Sequence, residues 1–199
     1  MDAELSGRFV KVMRSWLINL PYDLKILYEA STDENLSRET RELMIGAIIY
    51  AISPNDLISD RDNFASYADD CLLLRVALKN GVGSEDEDEE FFRSRFPEFF
   101  ESLDEELATC EEALGDLYQW LASKVEILPK RSYKNKTVKQ HFESEDLQEV
   151  LYEDGLEFRT EYPISEDDIH DRFKKPSSVI DLLRRAKGQE DIKAGTATK

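Results

Sequence analysis

Residues 96–121 read FPEFFESLDEELATCEEALGDLYQWL, and their periodicity decides the fold class. Phe96, Phe100, Leu103, Leu107, Cys110, Leu114, Leu117 and Leu121 alternate steps of four and three, which lines one face of an α-helix. Pro97 suits a first helical position. Continued to Leu128, such a helix would be about 45 Å long at a rise of 1.5 Å per residue. A heptad of this kind invites a coiled-coil dimer. The flanking positions, however, hold Phe99, Ala113, Tyr118 and Trp120 beside Asp104, Glu106 and Glu111. That stripe is wider than a two-stranded seam, and a parallel homodimer would set like charges against each other. The reading is a helix buried in its own bundle.

Working outward toward the N-terminus, Phe9, Val12, Met13, Trp16, Leu17 and Leu20 mark one helix face, and Pro21 opens a second short amphipathic segment to about Ala30. Ser37 and Thr40 offer N-caps for a third helix that stops at Ser53-Pro54. Apolar on nearly all sides between Leu43 and Ile52, it should be the central helix. Its apolar run is half the length of a membrane span. Cys71, Leu74 and Leu78 mark a fourth helix over Tyr67–Leu78. The acidic run Glu85–Glu90 reads as a solvated loop.

Beyond Pro129 the character changes. Lys130, Arg131, Lys134, Lys136 and Lys139 form a short basic stretch, for which intramolecular or solvated roles are preferred over a phosphate or nucleic-acid contact. Ser144–Glu153 reads as a helix ended by Asp154-Gly155, with a strand over Leu156–Tyr162; the rival parse is a hairpin turning at Asp154-Gly155. Ser165 and Asp168 resemble a capping box, Ser177 or Ser178 starts another helix, and Gly188–Lys199 reads as a frayed tail. The expectation is a mainly α protein. It has an acidic bundle of about five helices over residues 1–128, a small C-terminal appendage over 129–188 with one or two short strands, and a flexible tail over 189–199.

The 199 residues carry 43 acidic and 26 basic side chains, a formal charge of −17. Residues 1–127 hold 28 acidic and 12 basic groups, net −16, which leaves −1 for the remainder. This balance counts against a generic nucleic-acid or anionic-membrane binder, because both need clustered Lys and Arg to displace counterions. Cys71 and Cys110, far apart and on apolar stripes, read as buried, inert thiols in a reducing compartment. The N-terminus resembles neither a signal nor a transit peptide, so a cytoplasmic protein is expected.

Leu20-Pro21-Tyr22-Asp23-Leu24-Lys25 and the run Ala47–Asp60, containing Ser53-Pro54-Asn55-Asp56-Leu57-Ile58-Ser59-Asp60 and followed by Tyr67-Ala68-Asp69-Asp70, carry a resemblance. This segment, about residues 20–81, is similar to the small helical proteins of the YkvA or DUF1232 family. The resemblance implies a helical fold and brings no settled activity with it. Asn55, Ser59, Arg61, Asp62 and Asn63 stand where the family is apolar or proline-rich, which argues against the membrane association suspected for some members.

Asp56, Asp60, Asp69 and Asp70 are the candidate site residues. If the turn folds back they converge, and convergent carboxylates call for a cation, with Mg²⁺ or Ca²⁺ suited to oxygen ligands. The preferred reading is structural, with an Asx-turn at Asp56 and helix N-termini favoured by Asp60, Asp69 and Asp70. No EF-hand spacing is present. His141 and His170 lack metal-motif partners, although His170 lies among Asp167, Asp168 and Asp171. Gly81-Val82-Gly83 lacks the residues of a phosphate loop. No catalytic set is recognisable. The leading expectation is therefore a non-enzymatic protein-protein interaction or regulatory module, monomer or homodimer, with a protein partner of basic character. The alternatives are a divalent-cation-binding protein or cation-dependent hydrolase using the aspartates, and a peripheral membrane protein.

Overall fold

The computed structural model describes residues 1–53, 57–58, 64–83 and 86–197. The chain is mainly α, and a two-stranded hairpin is the sole sheet among those residues. Ten α-helices, counted over the described residues, replace the expected five or so in the bundle plus a few beyond it.

α1 (Ala3–Thr32) begins at Asp2, whose side chain accepts from the Leu5 N–H, and runs unbroken for 30 residues with Pro21 inside it. The expected break at Pro21 is absent, and the reason lies at the far end of the chain. Pro21 has no N–H for the Leu17 carbonyl. The Tyr162 hydroxyl donates to that carbonyl instead, at 2.5 Å.

α2 (Arg38–Ile52), capped by the Ser37 hydroxyl, is the central helix as expected, with buried residues around its circumference. It packs against α1 and α3 (Ala68–Val82). On another side the carbonyl of Leu128 comes so close to Gly46 that a Cβ there would stand 2.3 Å from its oxygen.

Glu85 lies outside the described residues, and from Glu87 the acidic run is helical rather than a loop: α4 (Glu87–Ser94) has its acids in the first turn, where they favour the helix dipole, while Asp86 accepts from the N–H groups of Asp88 and Glu89. Fully buried Phe92 ties α4 to the core. The single long helix is also corrected. α5 (Pro97–Leu114) stops at Gly115, which has φ +54° and ψ −124°; α6 (Asp116–Ala122) and a 3-10 segment over Ser123–Lys130 follow. Apart from the half-buried Phe100, the heptad residues on both sides of the break stay buried, because the bend carries α6 onto α3 while α5 lies on α1.

β1 (Ser132–Tyr133) and β2 (Lys136–Thr137) pair antiparallel around Lys134-Asn135, both at positive φ. α7 (Val138–Glu143) starts with a capping box at Thr137 and Gln140. The helix expected over Ser144–Glu153 is present, but its stop, the strand after it and the rival hairpin are not: α8 (Glu145–Glu161) continues through Gly155. Leu151, Phe158 and Tyr162 share its inward side, and the rings of Phe158 and Tyr162 meet Tyr67. α9 (Glu166–Arg172) is capped by Ser165 as expected. α10 starts at Ser177 and remains helical to Ala197, where a frayed tail was expected, and Glu190 on it accepts from the Trp120 indole and the Lys124 ammonium. One hydrophobic core takes in residues from Phe9 to Ala186.

Candidate functional site

Of the four candidate aspartates, Asp56 and Asp60 lie outside the described residues. Asp69 and Asp70 occupy the first turn of α3 and are both completely buried. Their position favours the α3 dipole, as the structural reading holds, yet burial deprives them of the water that usually solvates such acids. Asp69 Oδ2 accepts a 2.5 Å hydrogen bond from the Tyr50 hydroxyl on α2, and that hydroxyl in turn accepts from the Leu57 N–H. Burial, with the charges of Asp69 and Asp70, pushes the Tyr50 phenol well above its ordinary value.

Two residues outside the candidate set, one of them the Asp23 of the Leu20–Lys25 element, form a buried ion pair. Asp23 of α1, 1% exposed, meets Arg75 of α3, 3% exposed, with Oδ2 at 2.6 Å from Nη1. The guanidinium lies 4.5 Å from the Trp16 ring and 5.3 Å from that of Phe99. Burial raises the Asp23 carboxyl to about 7, with Arg75 opposing and Glu106 adding to the rise. A signal for Arg75 was available: it is a lone cation in the otherwise apolar run from Cys71 to Leu78. Its partner could not be read, since Asp23 lies half a hundred residues upstream on another helix. Among the described residues, no three His, Cys, Asp or Glu side chains are placed to hold a metal ion.

Other expected features resolve as structural parts. Cys71 and Cys110 are free and buried, and desolvation pushes both thiols up. His141 is buried, with Nδ1 3.1 Å from the Leu147 carbonyl and Nε2 3.5 Å from that of Tyr133, so it joins the hairpin to α8. His170 is exposed, and its Nδ1 lies 3.2 Å from Arg14 Nη1. Arginine only donates, so this nitrogen accepts. Arg14 also donates to the carbonyls of His170 and Phe173, closing the C-terminal end of α9 on α1. The glycines near Gly81 end α3, whose last carbonyls accept from Thr40 and Arg93. In the basic stretch, Lys134 pairs with Asp154, and the Arg131 guanidinium lies 4.6 Å from the Tyr50 ring centre.

Two surfaces face outward. On α4 and α5, Glu87, Asp88, Glu90, Glu98, Glu101 and Glu105 are exposed and form an acidic ridge. Between α1 and α8, with Ile48 of α2 contributing, runs an apolar groove of about 390 Å³. Pro21, Leu24 and Tyr28 face Leu151, Tyr152 and Leu156 across it. The rings of Tyr28 and Tyr152 are 4.8 Å apart, and Tyr152 and Leu156 remain 45% and 43% exposed. A Cβ on Gly155, also in the groove, would meet nothing within 4 Å.

Comparison with protein-family models, curated proteins and solved structures found no match. No helix among the described residues is long and apolar enough to cross a membrane.

Proposed function

We propose that this chain is a cytoplasmic, non-enzymatic protein-protein interaction module. The observation that carries the reading is the α1–α8 groove, whose buried floor of Leu24, Ile48 and Leu151 is rimmed by the water-exposed Tyr152 and Leu156. Contiguous exposed apolar surface in a concave setting is characteristic of a binding site. The occupant that fits is a segment of a protein partner presenting aliphatic or aromatic anchors. The acidic ridge on α4 and α5 suits a partner that is basic overall, and would speed encounter without supplying most of the affinity.

The test compares proteins cross-linked to the native chain with those cross-linked to Leu156→Asp, alongside light scattering of the purified protein. The expected result is a reproducible partner that Leu156→Asp loses while its melting temperature stays close to the parent's. Identical capture by both proteins, or no reproducible partner with a monomer in solution, would remove the support for this reading.

A second reading is a divalent-cation-binding protein built on Asp56, Asp60, Asp69 and Asp70. What favours it is the complete burial of adjacent carboxylates at Asp69 and Asp70, since buried anions are usually paired or bound to a cation. It predicts that Mg²⁺ or Ca²⁺ raises the melting temperature, and that Asp56→Asn with Asp69→Asn abolishes the rise. An unchanged melting temperature in both cations would sink it.

A further inference from the structure

α1 and α5 leave a small cleft of about 110 Å³ on a different face of α1 from the groove. The buried pair Asp23 and Arg75 forms its inner part, while Ser15, Glu98, Ser102 and Glu106 line it nearer to solvent. Asp23 Oδ2 meets Arg75 by charge, but Oδ1 has no hydrogen-bond partner among the described residues. A carboxylate oxygen withheld from water without a partner is costly. Arg75 is itself held between the Trp16 and Phe99 rings, and Glu106 accepts a 2.6 Å hydrogen bond from the Trp16 indole.

Asp23, Glu98 and Glu106 thus line the cleft with one guanidinium, that of Arg75, and its lining holds more carboxylates than cations. A metal ion needs ligands converging on one point, which the described residues do not provide here. An ammonium group is less demanding: its three N–H donors can rotate toward separate acceptors, and its alkyl stem can lie along aromatic rings. Phe99 and the 44% exposed Tyr22 line the cleft for such a stem.

We propose that this cleft binds a primary alkylammonium group, with Asp23 Oδ1 as the inner acceptor and the Glu106 carboxylate and a serine hydroxyl as the outer ones. The same chemistry is presented by the lysine side chain of a protein partner and by a free polyamine. The site does not depend on the α1–α8 groove; its lysine form alone rests on the interaction reading. The raised Asp23 carboxyl supplies a consequence. Arg75 and Cys71 from α3, Glu106 from α5 and Tyr162 following α8 all act on or feel its charge. A proton and an ammonium compete for one oxygen, so affinity rises from about pH 6 to about pH 8.

The experiment titrates the purified full chain with spermidine in one arm. The other arm uses a lysine-bearing peptide, with its ε-acetylated form as control. Binding is read by calorimetry and by amide chemical shifts. At least one amine binds with shifts centred on residues 15–23 and 98–106, and Glu106→Gln weakens it about tenfold, the scale of a charge-assisted hydrogen bond. Glu126→Gln, on the 3-10 segment, leaves binding unchanged. A peptide tighter than spermidine assigns the site to a partner's lysine, and the reverse assigns it to a polyamine. Asp23→Asn removes Arg75's partner as well as the inner acceptor; should it fail to fold, Glu106→Gln decides. The proposal is overturned if neither amine binds, if the acetylated peptide binds as well as its parent, or if binding ignores Glu106→Gln.

Discussion

Pro21 and Tyr162 form a matched pair at the scale of single residues. The proline removes a helix donor, and the phenol supplies one to the same Leu17 carbonyl from 145 residues away. Tyr162→Phe is expected to cost about 1–3 kcal/mol, since it strands a carbonyl in a half-buried site. Pro21→Ala restores the N–H at that carbonyl, so the double variant should be markedly more stable than the sum of the single effects predicts. Denaturant melts of all four proteins measure the coupling, and strict additivity would refute the pairing. Asp23 makes a different prediction. Its carboxyl moves from 3.8 to about 7 on folding, so the folded state holds the proton more tightly. This contribution is fully present below 3.8 and is lost as pH rises toward and through 7, with a slope of up to about 1.4 kcal/mol per pH unit. Asp23→Asn should flatten the stability profile across that window; a profile as steep as the parent's would assign the slope to other groups.

Helices and their breaks set the next scale. Gly115 adopts a backbone conformation that L side chains avoid, and with it the heptad helix turns instead of running on. A Cβ there would meet no neighbouring atom, so Gly115→Ala isolates backbone strain, expected at about 1–3 kcal/mol in a denaturant melt. A loss within error would show that the turn is set by packing alone. Gly46→Ala probes the opposite case, a collision with the Leu128 carbonyl under an ordinary helical backbone. Most helices were legible from periodicity and caps: Ser37, Ser165 and the apolar run through Ile52 sit where the sequence placed them. Three of the misreadings share a cause. At Pro21, Gly115 and Gly155 a local propensity competed with contacts made by distant residues, and only at Gly115 did the local signal win, against a heptad that ran straight past it. Asp154-Gly155 looked like a stop, yet the inward side of α8 continues through Phe158 to Tyr162. In the candidate site, Asp69 and Asp70 were found by motif, whereas Asp23 and Arg75 become a pair only when α1 and α3 are brought together.

At the scale of the whole molecule, the charge boundary near Leu128 does not divide the core. Val138, Leu151, Ile169, Phe173, Val179 and Leu183 join the same hydrophobic cluster as Trp16 and Ile49. The acidic and near-neutral parts should therefore unfold together. A single transition, coincident by circular dichroism and tryptophan fluorescence, is expected, and two resolved transitions would contradict a shared core. Because the residues before Leu128 carry most of the −17, added salt should raise the midpoint by screening their mutual repulsion.

The hydrogen bond from Tyr162 to Leu17 has a further meaning for the order of events during synthesis. α1 leaves the ribosome before α8, and the residue that completes its backbone bonding is made 145 positions after Leu17. Until then the helix must carry a gap at its middle, and its final form waits on the segment that ends at Tyr162. Vectorial synthesis and native assembly thus run in opposite directions at this point: a helix made earlier is completed by a side chain made later.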